Sequence, residues 1–253
     1  MAHAVSLPTQ TSVTAGSVVQ IDEPRYLGAR LPADTVFEDA AGAAFSLADV
    51  LGKPVILVLS YYGCDGTCPV VNLELAAALA KLDRFKSGQD FSVLTVSFDS
   101  RDTSRTAAEF LNKTGLSPAR GWRHAVLKNM DVKAFAGSVG FNYFWSDAAR
   151  AFMHPNVLIF LTPEGRVARY IYGTRMDPRT IELALIDADW NRISSSTAVF
   201  DMLTGACFSY NYAEGKYQVN YSLAAGVGSL VLGITLLGLG SWAYRRKMGK
   251  AHA

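Results

Sequence analysis

The chain has 253 residues, half of them hydrophobic and 18% charged, so it can bury one medium domain and carry accessory segments. A formal net charge of +2, with no basic run before the extreme C-terminus, argues against a nucleic-acid partner. Three cysteines leave at least one without an intramolecular disulfide partner.

Residues 1–30 are polar and irregular, with Pro8 and Pro24, and are expected to form an extended arm. A domain follows over 31–192. Gly52-Lys53-Pro54 opens the apolar run Val55 to Ser60, which predicts a strand buried on both faces. Cys64 and Cys68 follow at its C-terminal edge, and Pro69 is expected to start a helix carrying Val71, Leu75, Leu79 and Leu82. A second strand is predicted at Phe91 to Phe98, a helix from near Thr103 with Ala107, Phe110 and Leu111, and another helix over about 130–139. His154-Pro155 precedes a strand at 156–161. The turn Thr162 to Gly165 then leads into a strand at 166–172, so the last two strands read as a hairpin. A helix from Pro178 to about Trp190 closes the domain. The alternation of strands and helices predicts an α/β sheet with helices on its faces.

Residues 193–220 form a juxtamembrane segment containing Cys207. From Tyr221 to Trp242 the chain has no charged residue, which is about the ~20 residues that span a bilayer; a transmembrane helix is expected over 221–243. Tyr221, Trp242 and Tyr244 stand where interfacial aromatics belong. Arg245, Arg246, Lys247 and Lys250 make 244–253 a basic tail, which the positive-inside rule puts in the cytoplasm, with the large N-terminal part outside it. Export of that part requires a signal, and the stretch MAHAVSLPTQTSV has no apolar core; either a signal was removed or the gene starts elsewhere.

The order strand, Cys64-Asp-Gly-Thr-Cys68-Pro69, helix puts two thiols where a buried strand meets a helix N-terminus. Backbone N–H groups there favour thiolate, so the cysteine pKa values are expected to fall. Two such thiols can cycle through a disulfide or bind a soft metal ion, and an imidazole would complete a metal set. A structural disulfide closing so short a loop would add little stability. The candidate imidazole is His154. His3 and His252 stand at the chain ends, and His124, in Gly-Trp-Arg-His-Ala-Val, reads as a packed residue entering an apolar strand. Asp99 and Asp102 could steer a partner or anchor a loop, and the simpler expectation is that they cap the helix that follows.

Gly63-Cys64-Asp-Gly-Thr-Cys68-Pro69, then Val96-Ser-Phe-Asp99-Ser-Arg-Asp102-Thr103, then His154 before an apolar strand ending Thr162-Pro-Glu-Gly165, resembles the Sco/SenC family over about residues 30–190. The resemblance implies a thioredoxin-like fold tethered to a bioenergetic membrane, with copper bound by Cys64, Cys68 and His154. It also implies a role in assembling the dinuclear copper centre of cytochrome oxidase. The C-terminal anchor is similar to that of a bacterial branch, which would place the domain on the periplasmic side of the inner membrane. Where that branch is expected to carry a histidine and an aspartate near the juxtamembrane cysteine, this chain has Ser209 and Asn211. Cys207 could resolve a mixed disulfide, lend a thiolate to copper, or stay idle.

Three functions compete. The first is a copper-binding assembly factor, acting by ligand transfer rather than catalysis. The second is a thiol–disulfide oxidoreductase, which needs only Cys64 and Cys68. The third is an accessory subunit of a respiratory membrane complex, docked through its arm and a glycine-rich span that permits close helix approach.

Overall fold

The structure is a computed structural model that describes residues 20–116, 120–194, 208–211, 216–219, 226, 229 and 232–239. The chain divides into two compact units, Met1–Ser196 and Thr197–Ala253.

The first unit opens with a short helix, α1 (Glu23–Tyr26), started by Pro24. The hairpin of β1 (Val36–Asp39) and β2 (Ala44–Ser46) follows, its turn closed by Asp39 Oδ1, which accepts the N–H groups of Ala41 and Ala43. A 3-10 turn at Leu47–Val50 leads to β3 (Val55–Ser60), α2 (Thr67–Leu79), β4 (Ser92–Ser97), α3 (Ser104–Thr114) and β5 (Trp122–Leu127). Beyond α4 (Val132–Ser138), the small ribbon β6 (Phe144–Ser146) and β7 (Ala151–Met153) precedes the hairpin β8 (Val157–Leu161) and β9 (Val167–Tyr172), and α5 (Pro178–Asp189) ends the domain.

Seven strands form one sheet in the order β2-β1-β5-β4-β3-β8-β9. The centre, β5-β4-β3, is parallel, and β8 joins β3 antiparallel. Every residue of β3, β4 and β8 is buried, as continuous apolar runs covered on both faces require. This is the expected α/β, thioredoxin-like arrangement, in which the parallel centre sends the C-terminal ends of β3 and β4 to one edge.

Three boundaries differ from expectation. α2 starts at Thr67, so Cys68 lies inside its first turn, and it ends at Leu79, so Leu82 lies beyond it. Part of the expected arm packs on the domain: Ile21 is buried in the main core, and Gly28, Ala29 and Leu31 pair by backbone hydrogen bonds with Gly165 and Val167. Burial of Ile21 and these backbone hydrogen bonds tie the segment to the hairpin at β9.

His124 lies in β5, 5% exposed, stacked on Trp122 at 5.3 Å and near Phe110 at 6.0 Å, which bears out its reading as a packed residue. Burial pushes its pKa from 6.5 down to about 4. The folded state therefore resists the proton that the unfolded chain accepts. Stability is unaffected above pH 6.5 and falls as pH drops from 6.5 through 4, by about 3 kcal/mol at 1.36 kcal/mol per pH unit. Denaturant titrations at pH 7 and pH 4.5 are expected to show this loss for the wild type and a smaller one for His124→Phe; equal losses would refute the assignment.

In the second unit, β10 (Phe208–Asn211) and β11 (Lys216–Val219) form an antiparallel hairpin, and residues 232–239 are helical. Among the described residues no helix is long and apolar enough to cross a membrane; most of the expected span, 221–243, lies outside them. Cys207, His3 and His252 also lie outside the described residues.

Candidate functional site

β3 delivers the chain to the sheet edge at Ser60. Tyr61 and Tyr62 continue inward as buried side chains, and a turn closed by Cys64 N–H on the Tyr61 carbonyl brings Cys64 back toward the start of α2. Both cysteines are free and buried, Cys64 at 5% and Cys68 at 2% exposure.

The two thiols differ. Cys64 Sγ accepts hydrogen bonds from the Cys68 thiol, from Tyr61, and from the N–H groups of Cys68 and Gly66, the last at 3.3 Å. Against the opposing effect of burial, these hold its pKa at about 5. Cys68 moves the other way, because its proton is committed to Cys64 and burial disfavours a second charge. The expected depression of both cysteines therefore holds for Cys64 only. A helix N-terminus stabilises one negative charge here, and the second sulfur shares it as donor.

His154 follows β7 and precedes Pro155 at the entrance to β8. Its Nδ1–H donates to the Pro155 carbonyl at 3.0 Å, which fixes the tautomer and turns the Nε2 lone pair toward Cys68 Sγ, 3.8 Å away. The ring lies against Phe98 at 5.1 Å and Phe141 at 5.8 Å, and burial lowers its pKa, keeping the imidazole neutral. The three residues singled out in the sequence thus stand as successive neighbours, Cys64 to Cys68 to His154. Among the described residues no three His, Cys, Asp or Glu side chains are gathered closely enough to hold a metal ion as they stand.

The two aspartates do not cap α3; Thr103 does, accepting the N–H of Thr106. Asp102 instead anchors the cysteine loop. Its carboxylate accepts Tyr62 N–H at 2.8 Å, the Ser97 hydroxyl, and the Thr106 hydroxyl at 3.0 Å. Asp99 takes a bidentate hydrogen bond from Arg101, whose guanidinium lies 6.0 Å from the Phe152 ring centroid.

Sequence reasoning missed the aromatic wall of Tyr61, Phe98, Phe141 and Phe152 around His154, and the rim outside it. Val70 and Leu73 on α2, and Phe144, Trp145 and Met153 on the β6–β7 ribbon, are exposed; among the described residues of this unit only Trp190 joins them as a large exposed apolar side chain. The first two follow Cys68 by two and five residues, and Met153 directly precedes His154. Trp145 packs on Phe152 of the aromatic wall at 5.2 Å, so the exposed apolar surface of the ribbon adjoins the site.

The family model described as SCO1/SenC matches residues 28–186. Two solved structures from Aquifex aeolicus VF5, described as candidate electron-transfer and electron-transport proteins, are each 31% identical and cover 65% of this chain. They are matched over 95% and 99% of their own lengths, with TM-scores of 0.60 and 0.57. The copper-bound ScoI of Arabidopsis thaliana, 21% identical with a TM-score of 0.52, covers 64% of this chain and 99% of its own and shares the fold. No curated protein sequence matches the chain.

Proposed function

The chain belongs to the SCO1/SenC family, and from that premise we propose that it is a copper-binding assembly factor that delivers copper to, or prepares, the dinuclear copper centre of a respiratory cytochrome oxidase. Copper is the cargo, and Cys64, Cys68 and His154 are its ligands. The observation that carries this reading is the presentation of His154 Nε2 to Cys68 Sγ beside a cysteine already poised as thiolate. Two thiolates and a neutral imidazole are a donor set selective for a soft ion such as Cu(I), and binding releases the thiol proton that now holds the sulfurs in their hydrogen-bonded pair. The apolar rim suits release to a protein acceptor, because it lets the partner cover the site during transfer.

A thiol–disulfide oxidoreductase is the second reading, favoured by the unequal pair. Cys64 has the low pKa of an attacking thiolate, while Cys68 is the buried resolving thiol.

The domain would be held on the periplasmic side of a bacterial inner membrane by a helix over 221–243, with the tail in the cytoplasm. Residues 232–239 support this: Leu232, Ile234, Leu236, Leu237 and Leu239 are all exposed, a surface that lipid would cover. Full-length protein prepared under reducing conditions is expected in the membrane fraction with stoichiometric copper, and Cys68→Ser is expected there without it. Recovery from the soluble fraction would remove the anchor. Copper-free wild type after loading with Cu(I) would remove the assembly role.

A further inference from the structure

Asn72 is fully buried in α2, one turn beyond Cys68, where the neighbouring Val71 and Leu75 are apolar. A buried amide is costly unless its bonds are made, so their direction is informative. Trp122 Nε1–H, which can only donate, goes to Thr95 Oγ1 at 3.0 Å. Thr95 therefore directs its own proton to Asn72 Oδ1, at 3.0 Å. That fixes the amide, whose Nδ2 donates to the Cys68 carbonyl at 2.9 Å and to Ser60 Oγ at 3.0 Å. Ser60 Oγ, occupied as an acceptor, retains one proton to give. Ser60 lines one small pocket with Cys68 and His154, so the proton it retains lies beside the Cys68 side chain.

We infer that Asn72 and Ser60 are positioning residues for Cys68: the relay Trp122 to Thr95 to Asn72 to Ser60 runs with every donor facing one way and ends on Cys68 Sγ, fixing that sulfur and favouring its reduced state and its use as a ligand. The inference deepens the copper reading and rests on it only for the metal. A thiol or thiolate accepts a hydrogen bond better than a disulfide sulfur does, so the relay favours the dithiol over the disulfide. An apolar residue at position 72 would serve α2 equally well as packing, and it could not orient the Ser60 hydroxyl.

The test equilibrates the metal-free full chain with glutathione, two thiols giving two electrons and two protons to glutathione disulfide as the Cys64–Cys68 bond forms. Ser60→Ala is expected to shift the equilibrium toward the protein disulfide about tenfold, or ~30 mV more negative. Asn72→Leu is expected to shift it in the same direction by less, and Ser60→Thr to restore the wild-type value. Competition with a Cu(I) chelator is expected to show affinity lowered by about tenfold in Ser60→Ala. An unchanged potential in Ser60→Ala would overturn the inference, as would a Ser60→Thr variant that behaves like Ser60→Ala. A wild type that binds no Cu(I) would defeat the copper reading while the potential still decides this one.

Discussion

His154→Ala is expected to weaken Cu(I) binding by at least about a hundredfold, ~2.7 kcal/mol, while the Cys64–Cys68 pair still cycles between dithiol and disulfide. The imidazole contributes a neutral nitrogen whose direction is set by the Nδ1–H bond to Pro155, and the fold offers no substitute among the described residues. His124 is locked between Trp122 and Phe110. Two sulfurs alone can still hold Cu(I), so the expected result is a loss of affinity rather than of all binding. Alanine also empties space beside Phe98 and Phe141, costing about 2–3 kcal/mol of stability. His154→Phe separates the effects, because a ring can keep the packing while removing the ligand. Chelator competition on both variants, with the reduction potential measured in parallel, decides between the two proposed activities. An unchanged Cu(I) affinity in His154→Phe would leave only the thiol–disulfide role.

The parts of this site visible in the sequence are those encoded locally. Val55 to Ser60 reads as a buried strand because six consecutive residues suit no exposed surface, and the structure buries all of them. Cys64 and Cys68 are placed by that strand and by Pro69. The pairing of His154 with Cys68 joins positions far apart in sequence; the place of His154 before a strand, the elimination of the other histidines and then the family resemblance pointed to it, and β8 lying beside β3 brings it about. What stayed hidden depends on tertiary burial. The inequality of the two thiols follows from which sulfur lies under α2 and which meets the Gly66 and Cys68 N–H groups. Asn72 within VVNLELAAAL gives no sign that it bonds to β3 and β4. The β6–β7 ribbon has strands of three residues each, too short for any period to register. Asp102 was read as a cap because acidic residues before a helix commonly are; its role as loop anchor depends on Tyr62 arriving opposite it.

That anchor leads to the second large effect. Asp102→Ala is expected to destabilise the domain by about 3 kcal/mol, ~10 °C in Tm, and to speed copper release as well. Its carboxylate collects three donors from three places: Tyr62 N–H at the start of the cysteine loop, the Ser97 hydroxyl at the end of β4, and the Thr106 hydroxyl in the first turn of α3. Removing it leaves the Tyr62 N–H and the Ser97 hydroxyl without an acceptor in a partly buried setting, while the Thr106 hydroxyl keeps the Thr103 carbonyl at 2.9 Å; stranding the first two donors costs more than their bonds contribute. Tyr62 is held at its other end by its hydroxyl, which reaches the Ala125 carbonyl at 2.9 Å, so the ring is expected to stay in place while the backbone leading to Cys64 loosens. Loss of stability and loss of copper are then linked through one residue pair, and the double variant His154→Phe/Asp102→Ala separates them. Without the imidazole, the Asp102 change should still cost the same stability. Denaturant midpoints for the single and double variants, with copper dissociation rates for Asp102→Ala, test both parts. A midpoint within about 1 kcal/mol of wild type for Asp102→Ala would mean that the loop is held by α2 and the cysteine pair alone.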